Sequence, residues 1–128
     1  MVKVVVDNAK GLIQKSGSGV EYKTSVQSAT VSVSAAGPSS PDVTKANVVL
    51  IDTSGNTVTL GGLTGGVTGQ VVHLVKTSAS NNLVLENSEG DAQNFLLAGD
   101  TTMTAVPGMF TCVFDGTNWQ VLVSGDLS

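Results

Sequence analysis

The sequence predicts an all-β fold of short antiparallel strands that form a small sandwich, barrel or prism, completed by neighbouring copies of the chain. Valine occupies 21 of the 128 positions, and β-branched side chains suit a pleated strand better than a helix. Short apolar runs recur about every ten residues with turn residues between them, and no stretch has a helical period. Aromatic residues make up only 4% of the chain, so neighbouring copies are expected to help bury its apolar surface.

Each candidate strand is a short apolar or alternating run bounded by turn-forming residues. The runs lie at residues 3–6, 20–33, 47–52, 57–60, 71–76, 83–86, 94–97, 101–106, 109–114 and 119–123. Between the second and third of them the segment AAGPSSPDV holds two prolines, which lack the donor that a sheet ladder needs. We therefore predict an N-terminal arm over 1–36, a linker over 37–46 and a β-rich lobe over 47–128; the resemblance described below implies that the arm docks and that the lobe trimerises.

A first hairpin is predicted in VVLIDTSGNTVTL. A turn over residues 54–55 places Ile51 opposite Val58 and Val49 opposite Leu60, so that four apolar side chains share one face.

A second hairpin is predicted in MFTCVFDGTNWQVLV, with a loop over residues 115–118. The predicted facing pairs are Phe114 with Trp119, Cys112 with Val121, and Phe110 with Val123. Slipping this register by one residue would turn one apolar set onto the opposite face, so the pattern specifies the pairing strongly. The other face, with Thr111, Val113, Gln120 and Leu122, is half apolar, as expected of a face that something else covers.

Charge and composition exclude several classes of partner. The net charge is −4, and the six cations are all lysines, which argues against nucleic acid because phosphate recognition relies on clustered Lys and on the Arg fork. The apolar run that ends at Asp7 is too short for a signal peptide, and no window is long enough to span a bilayer. We expect synthesis in a cytoplasm and no membrane partner. The single cysteine precludes an intramolecular disulfide.

The candidate reactive residues are His73 and Cys112. Each lies in an apolar run. The favoured interpretation is a small buried hydrophobe for Cys112, and for His73 a satisfied, partly buried histidine on the same strand face as Val71 and Val75. A Cys112/His73 nucleophile pair in a small hydrolase is the enzymatic alternative, but no motif around either residue supports activation. We therefore predict that the chain is not an enzyme.

Ligand sites have little support in the sequence. The glycine-rich segment GGLTGGVTGQ lacks the Lys and Ser/Thr pattern of a phosphate loop, so its glycines are expected to permit a tight turn or close backbone approach. Glu89 and Asp91 lack the spacing of a calcium loop. No cofactor and no metal are predicted. For a glycan site the aromatic candidates are Trp119 and Tyr22. Trp119 is already expected on the apolar face of the second hairpin.

Residues 69–123 resemble a module of phage virion proteins. The similarity lies in a Gly-Gln strand, strands such as NLVLENS and NFLLAGD, and a closing hairpin with FDGTNW. The segment KGLIQKSGSGVEY, residues 10–22, is similar to the start of small phage head-associated proteins. The resemblance implies a homotrimeric structural protein on the exterior of the phage particle, of the kind found in capsid decoration proteins, head fibres and tail-fibre tips.

Within this resemblance, the short chain favours a capsid decoration or head-fibre protein that binds the major capsid protein and stabilises the capsid. The alternative is a tail-fibre tip that recognises a glycan or protein of the host surface. The residues expected in the core of the lobe or trimer are Val72, Leu74, Leu83, Leu85, Phe95, Leu97, Phe110, Phe114, Trp119 and Val121. Those expected in the capsid-docking arm are Leu12, Ile13 and Tyr22.

Overall fold

The computed structural model describes residues 4–7, 11–14, 29–88, 93–104 and 107–122. These residues form strands and turns without a helix, so the all-β prediction is confirmed and no helix in this part of the chain is available to span a bilayer. The strands are β1 Val4–Asp7, β2 Gly11–Gln14, β3 Ala29–Val33, β4 Ala46–Ile51, β5 Val58–Leu60, β6 Val71–Lys76, β7 Leu83–Leu85, β8 Phe95–Leu96, β9 Thr101–Met103, β10 Gly108–Phe114 and β11 Trp119–Leu122.

The strands form two principal sheets and one small one. Six strands make the large sheet in the order β3, β4, β6, β10, β11, β8, and β5, β7, β9 make a second sheet. Strands β1 and β2 pair with each other in a two-stranded sheet.

Both principal sheets are mixed, whereas antiparallel strands were predicted throughout. The pairs β3/β4, β4/β6, β5/β7 and β8/β11 are parallel. The reason is that the chain leaves one sheet for the other and then returns. After β4 it enters β5 of the second sheet, and it comes back as β6 alongside β4 in the same direction.

The core lies between the inner faces of the two principal sheets. Alternate residues of each strand point into it, so that buried and less buried positions alternate along β5, β6 and β7. A single cluster of buried apolar residues results, with Val43, Ala46, Val49, Ile51, Val58, Leu60, Leu63, Val72, Leu74, Leu83, Leu85, Phe95, Met103, Phe110, Cys112, Phe114 and Trp119. Full burial of one such aliphatic or aromatic side chain contributes about 1.5–3 kcal/mol, so the fold is a sandwich held by this cluster.

The prediction of the first hairpin is wrong. Strand β4 pairs with β3 and β6, while β5 pairs with β7 in the other sheet. The segment between β4 and β5 crosses from the large sheet to the second sheet. Thr53 in this segment is buried and is held by the turn that follows β6. Its hydroxyl donates to Ser80 O, and its carbonyl accepts from Asn81 Nδ2 at 2.9 Å. Val49 and Ile51 reach the core from the large sheet, and Val58 and Leu60 reach the same core from the second sheet.

The second hairpin is confirmed over the described residues. Phe114 is paired with Trp119, and Cys112 with Val121. The pairing of Phe110 with Val123 lies outside the described residues. Asp115 closes the loop by accepting hydrogen bonds from the amides of Thr117 and Asn118, both at 2.8 Å.

Residues on both sides of the predicted boundary at 36 contribute to the large sheet. Strand β3, from the segment assigned to the arm, pairs with β4 in parallel, and Val43, from the segment assigned to the linker, has no exposed surface. The division into arm, linker and lobe as independent units stays a prediction. The part of the arm that precedes β3 is described only at β1 and β2.

Candidate functional site

The two candidate reactive side chains lie on opposite faces of the large sheet. His73 is the register partner of Thr111, and its Nδ1 is 3.1 Å from Thr111 Oγ1 on the outer face. Cys112 is the next residue along β10, so its side chain points to the inner face, where it is fully buried. A pair separated by a sheet cannot transfer a proton directly, which argues against the Cys112/His73 nucleophile.

The Cys112 thiol is also expected to be unreactive. Burial raises its pKa to about 12, because a thiolate in the apolar core would lose its hydration. The thiolate is the reactive form of cysteine, so Cys112 acts here as a small core side chain.

Trp119 is the largest fully buried side chain. Its ring centroid is 5.0 Å from that of Phe114 at an interplanar angle of 39°, within the range of favourable aromatic pairs. The glycine-rich segment closes over the indole, since a Cβ on Gly66 would collide with Trp119 Cζ2. A covered ring offers no platform to a sugar, so Trp119 is not a glycan-stacking residue, and Tyr22 lies outside the described residues.

Gly66 is held in place by the side chain of Gln93. The Gln93 Oε1 accepts from Gly66 N at 2.8 Å, and its Nε2 donates to Gly66 O at 3.0 Å. These bonds hold the backbone of Gly66 against the indole with no room for a side chain. The sequence-based expectation that these glycines permit close approach is therefore confirmed at this position.

We expect Gly66→Ala to lower the free energy of unfolding by at least about 1 kcal/mol, because the new methyl group must displace either the indole or the Gln93 amide. Urea unfolding followed by circular dichroism measures the change. Gly55→Ala is the matched control, since its Cβ would meet nothing within 4 Å and its effect should stay within about 0.5 kcal/mol. Equal effects of the two substitutions would contradict the packing described for Gly66.

The turn carboxylates bind their own backbone. The side-chain hydroxyl of Thr44 lowers the pKa of Asp42, the amide of Ser54 that of Asp52, and the amide of Asn118 that of Asp115. Among the residues that the structure describes, no group of His, Cys, Asp or Glu is placed to hold a metal ion. Glu89 and Asp91, the candidates named from the sequence, lie outside that part.

Lys76 is a cation on the inner face of the large sheet. It retains about 1% of its accessible surface, and its Nζ donates to the carbonyl oxygens of Ser78 and Ser80. Burial lowers its pKa. These partners are neutral backbone groups at the end of the sandwich, so Lys76 caps the core and lines no reaction site.

Shallow grooves follow the free edge of β3. One of about 290 Å³ and one of about 520 Å³ share Val31 and Asp42 in their walls. The remaining lining is mostly serine, alanine and valine, with Lys45 as a further charge. The Asp42 carboxylate in these walls accepts hydrogen bonds from the amide and the hydroxyl of Thr44.

The most distinctive surface is the face of the large sheet that points away from the core, which we call the outer face. Register partners share a face of a sheet, so the pairings identify its members. They are Thr30, Ser32, Val48, Leu50, Val71, His73, Val75, Leu96, Met109, Thr111, Val113, Gln120 and Leu122. Most are apolar, and none is Asp, Glu, Lys or Arg.

The outer face exposes large apolar side chains to solvent. Five of them are more than a third exposed: Val71, Leu96, Met109, Val113 and Leu122. The face of an antiparallel or mixed sheet that meets water is ordinarily polar, so an apolar and uncharged face is typical of an interaction surface.

The residues predicted for the lobe core lie inside the single chain. Eight have at most 5% of their surface exposed: Val72, Leu74, Leu83, Leu85, Phe95, Phe110, Phe114 and Trp119. Leu97 and Val121 are partly buried against the same cluster. Side chains already covered within one chain leave little surface for a second copy, so any contact between copies must use other residues. Leu12 and Ile13 lie in β2, and Tyr22 lies outside the described residues.

The apolar outer face was only partly recognised from the sequence. Val113 and Leu122 were noted on the far side of the second hairpin, but Val48, Leu50, Val71, Val75 and Met109 were not. The signal was present in VVLI and VVHLVK, where apolar residues occupy both parities of a strand, a pattern typical of strands covered on both faces.

The described residues define an all-β sandwich domain. The family model that matches the chain is the phage depolymerase C-terminal beta sandwich domain, over residues 25–120. Since this match covers most of the chain, the protein belongs to that family and is a phage structural protein with a β-sandwich domain. No curated protein and no solved structure matches it.

Proposed function

We propose that this chain is a non-enzymatic, homotrimeric module of the exterior of the phage particle, located in the host-attachment apparatus. The observation that carries the proposal is the family match, because the matched domain is the C-terminal sandwich of phage depolymerases and not a part named for cleavage. In this role the sandwich acts as a rigid structural end piece of an attachment protein.

The geometry of the described residues supports a non-catalytic role. The thiol of Cys112 is buried with a raised pKa, and His73 lies on the other side of the sheet. The turn carboxylates Asp42, Asp52 and Asp115 each accept hydrogen bonds from their own turn. Catalysis needs a nucleophile, an acid or a base within reach of one substrate, and these side chains are not brought together.

A capsid decoration or head-fibre role is the second candidate. It is favoured by the similarity of residues 10–22 to phage head-associated proteins and by the module over residues 69–123. In this case trimers would bind the major capsid protein, and several weak contacts would act together through avidity.

Immunogold labelling of intact phage particles with antibodies against the purified chain distinguishes the two positions. We expect label at the tail, and purified chain that binds host cells and does not sediment with expanded capsids. Label over the capsid shell together with capsid binding would replace the tail assignment with the decoration role. Release of reducing ends from host surface polysaccharide by the purified chain would overturn the non-enzymatic assignment.

A further inference from the structure

We propose that the outer face of the large sheet is the surface through which copies of this chain bind one another, the occupant being further copies whose outer faces pack together around the trimer axis. The inference rests on the proposed homotrimer for the number of copies, and it adds the surface that the trimer uses. The core residues expected from the sequence cannot serve, because they are buried within one chain.

The charge pattern favours a second copy as the occupant. The chain carries a net charge of −4, so two copies repel each other on average. The outer face has no Asp, Glu, Lys or Arg, so two such faces can approach without like-charge repulsion. A strongly charged partner would find no opposite charge there, since electrostatic complementarity requires charges on both sides.

The area of the face is of the right order for an interface. Six strands about 4.8 Å apart span about 24 Å, and a strand of the length of β10 spans about 23 Å, so the flat area is on the order of 500 Å². A standard interface buries about 800 Å² of accessible surface on each partner. The outer face therefore supplies the apolar centre, and the surrounding turns supply the rim.

The centre of the face contains one polar pair that is already bonded. His73 Nδ1 and Thr111 Oγ1 are in hydrogen-bond contact at 3.1 Å, with the apolar side chains of Val48, Val75 and Val113 nearby in the register. Covering a polar group that keeps a partner costs much less than covering an unpaired one. His73 Nδ1 and Thr111 Oγ1 therefore keep a partner when the face is covered.

The dimensions of the sheet match three copies. Three large sheets about 24 Å wide, one from each copy, would enclose a triangular prism. Each sheet would then lie about 7 Å from the threefold axis. Packed sheets are about 10 Å apart, so each sheet ordinarily lies about 5 Å from the midplane, which is close to this distance. Four sheets of this width would stand about 12 Å from the axis and leave an open channel.

The test compares two exposed valines in the full-length chain. Val113 is 40% exposed on the outer face, and Val67 is 66% exposed in the loop before β6. Light scattering and sedimentation equilibrium should show the wild type and Val67→Glu as trimers. Val113→Glu should associate at least about 100-fold more weakly. Association would bury the new carboxylate of each copy without a partner and close to the same carboxylate of the other copies. Leu122→Glu, at the margin of the sheet, should behave in the same way.

A measurement on the wild type complements the variants. Peroxide oxidises exposed methionine, and Met109 is 49% exposed in the single chain while Met103 is buried. We expect Met109 to be protected at concentrations where the chain is trimeric and oxidised quickly after dilution.

The outcomes separate this inference from the proposed function. Trimers of folded Val113→Glu and Leu122→Glu, or rapid oxidation of Met109 within the wild-type trimer, would overturn the assignment of the surface and leave the homotrimer standing. A wild-type chain that is monomeric at every concentration would overturn both the surface and the trimer. The position on the particle is decided independently by the immunogold label.

Discussion

Replacement of Trp119 by alanine is expected to lower the free energy of unfolding by about 3–5 kcal/mol. The indole has no exposed surface, and it fills the space between the ring of Phe114 and the backbone of Gly66. Its removal leaves a cavity that these neighbours cannot close, because both are held by the strand pairing and by the Gln93 amide. The loss therefore includes both the transfer free energy of the indole and the cavity that remains.

Urea or thermal unfolding followed by circular dichroism measures this change. Thr117→Ala is the control, because Thr117 lies exposed in the neighbouring loop and its truncation should cost less than about 0.5 kcal/mol. Trp119 is the only tryptophan of the chain, so its fluorescence gives an independent measurement. Emission typical of a solvated indole in the native state, or a loss well under 1 kcal/mol, would show that Trp119 is exposed and would reopen the glycan interpretation.

Between pH 7 and about pH 10.5, the wild type is expected to lose about 2 kcal/mol more stability than Cys112→Val. The thiol has an ordinary pKa of 9.0, which burial raises to about 12 in the folded chain. Below pH 9 both states keep the proton, and the stabilisation is fully present. As the pH rises above 9, the unfolded chain loses the proton while the folded chain keeps it, so unfolding becomes more favourable until the folded thiol also titrates near pH 12.

Denaturant titrations of both proteins at a series of pH values test this expectation, and the difference between them removes the contributions of other titrating groups. Valine carries no ionisable group, and the cost of its additional methyl group is the same at every pH, so it does not affect the difference in pH dependence. Reaction of the native Cys112 thiol with a disulfide reagent should be slow, because the thiol is buried and stays protonated. Parallel pH curves for the two proteins would show that the thiol is hydrated in the folded state.

The reactive and polar residues that were weighed as site candidates stabilise the fold. Cys112 and Trp119 lie in the core, and the carboxylate of Asp115 shapes the hairpin loop. The uncharged outer face is one of the surfaces left to partners, and under the proposal above it binds further copies of the chain.

The candidate site was predicted from the sequence in outline only. The half-apolar far side of the second hairpin indicated a covered surface, and the structure extends it over six strands. The extension was not predictable, because it depends on which strands lie beside β10. Neither the pairing of β6 with β10 nor that of β6 with β4 has a signal in local periodicity.

The sequence by itself determined the strand content, the positions of most strands and the register of the second hairpin. These properties are local: β-branched residues restrict the backbone, alternation assigns faces, and a loop of Asp, Gly, Thr and Asn sets the pairing of Phe114 with Trp119. Only the tertiary structure decided that β4 and β5 belong to different sheets and that half of the pairings described here are parallel. The physical reason is that an apolar strand gains the same burial from either sheet, so alternation specifies that a face is buried but not the strand or the copy that buries it.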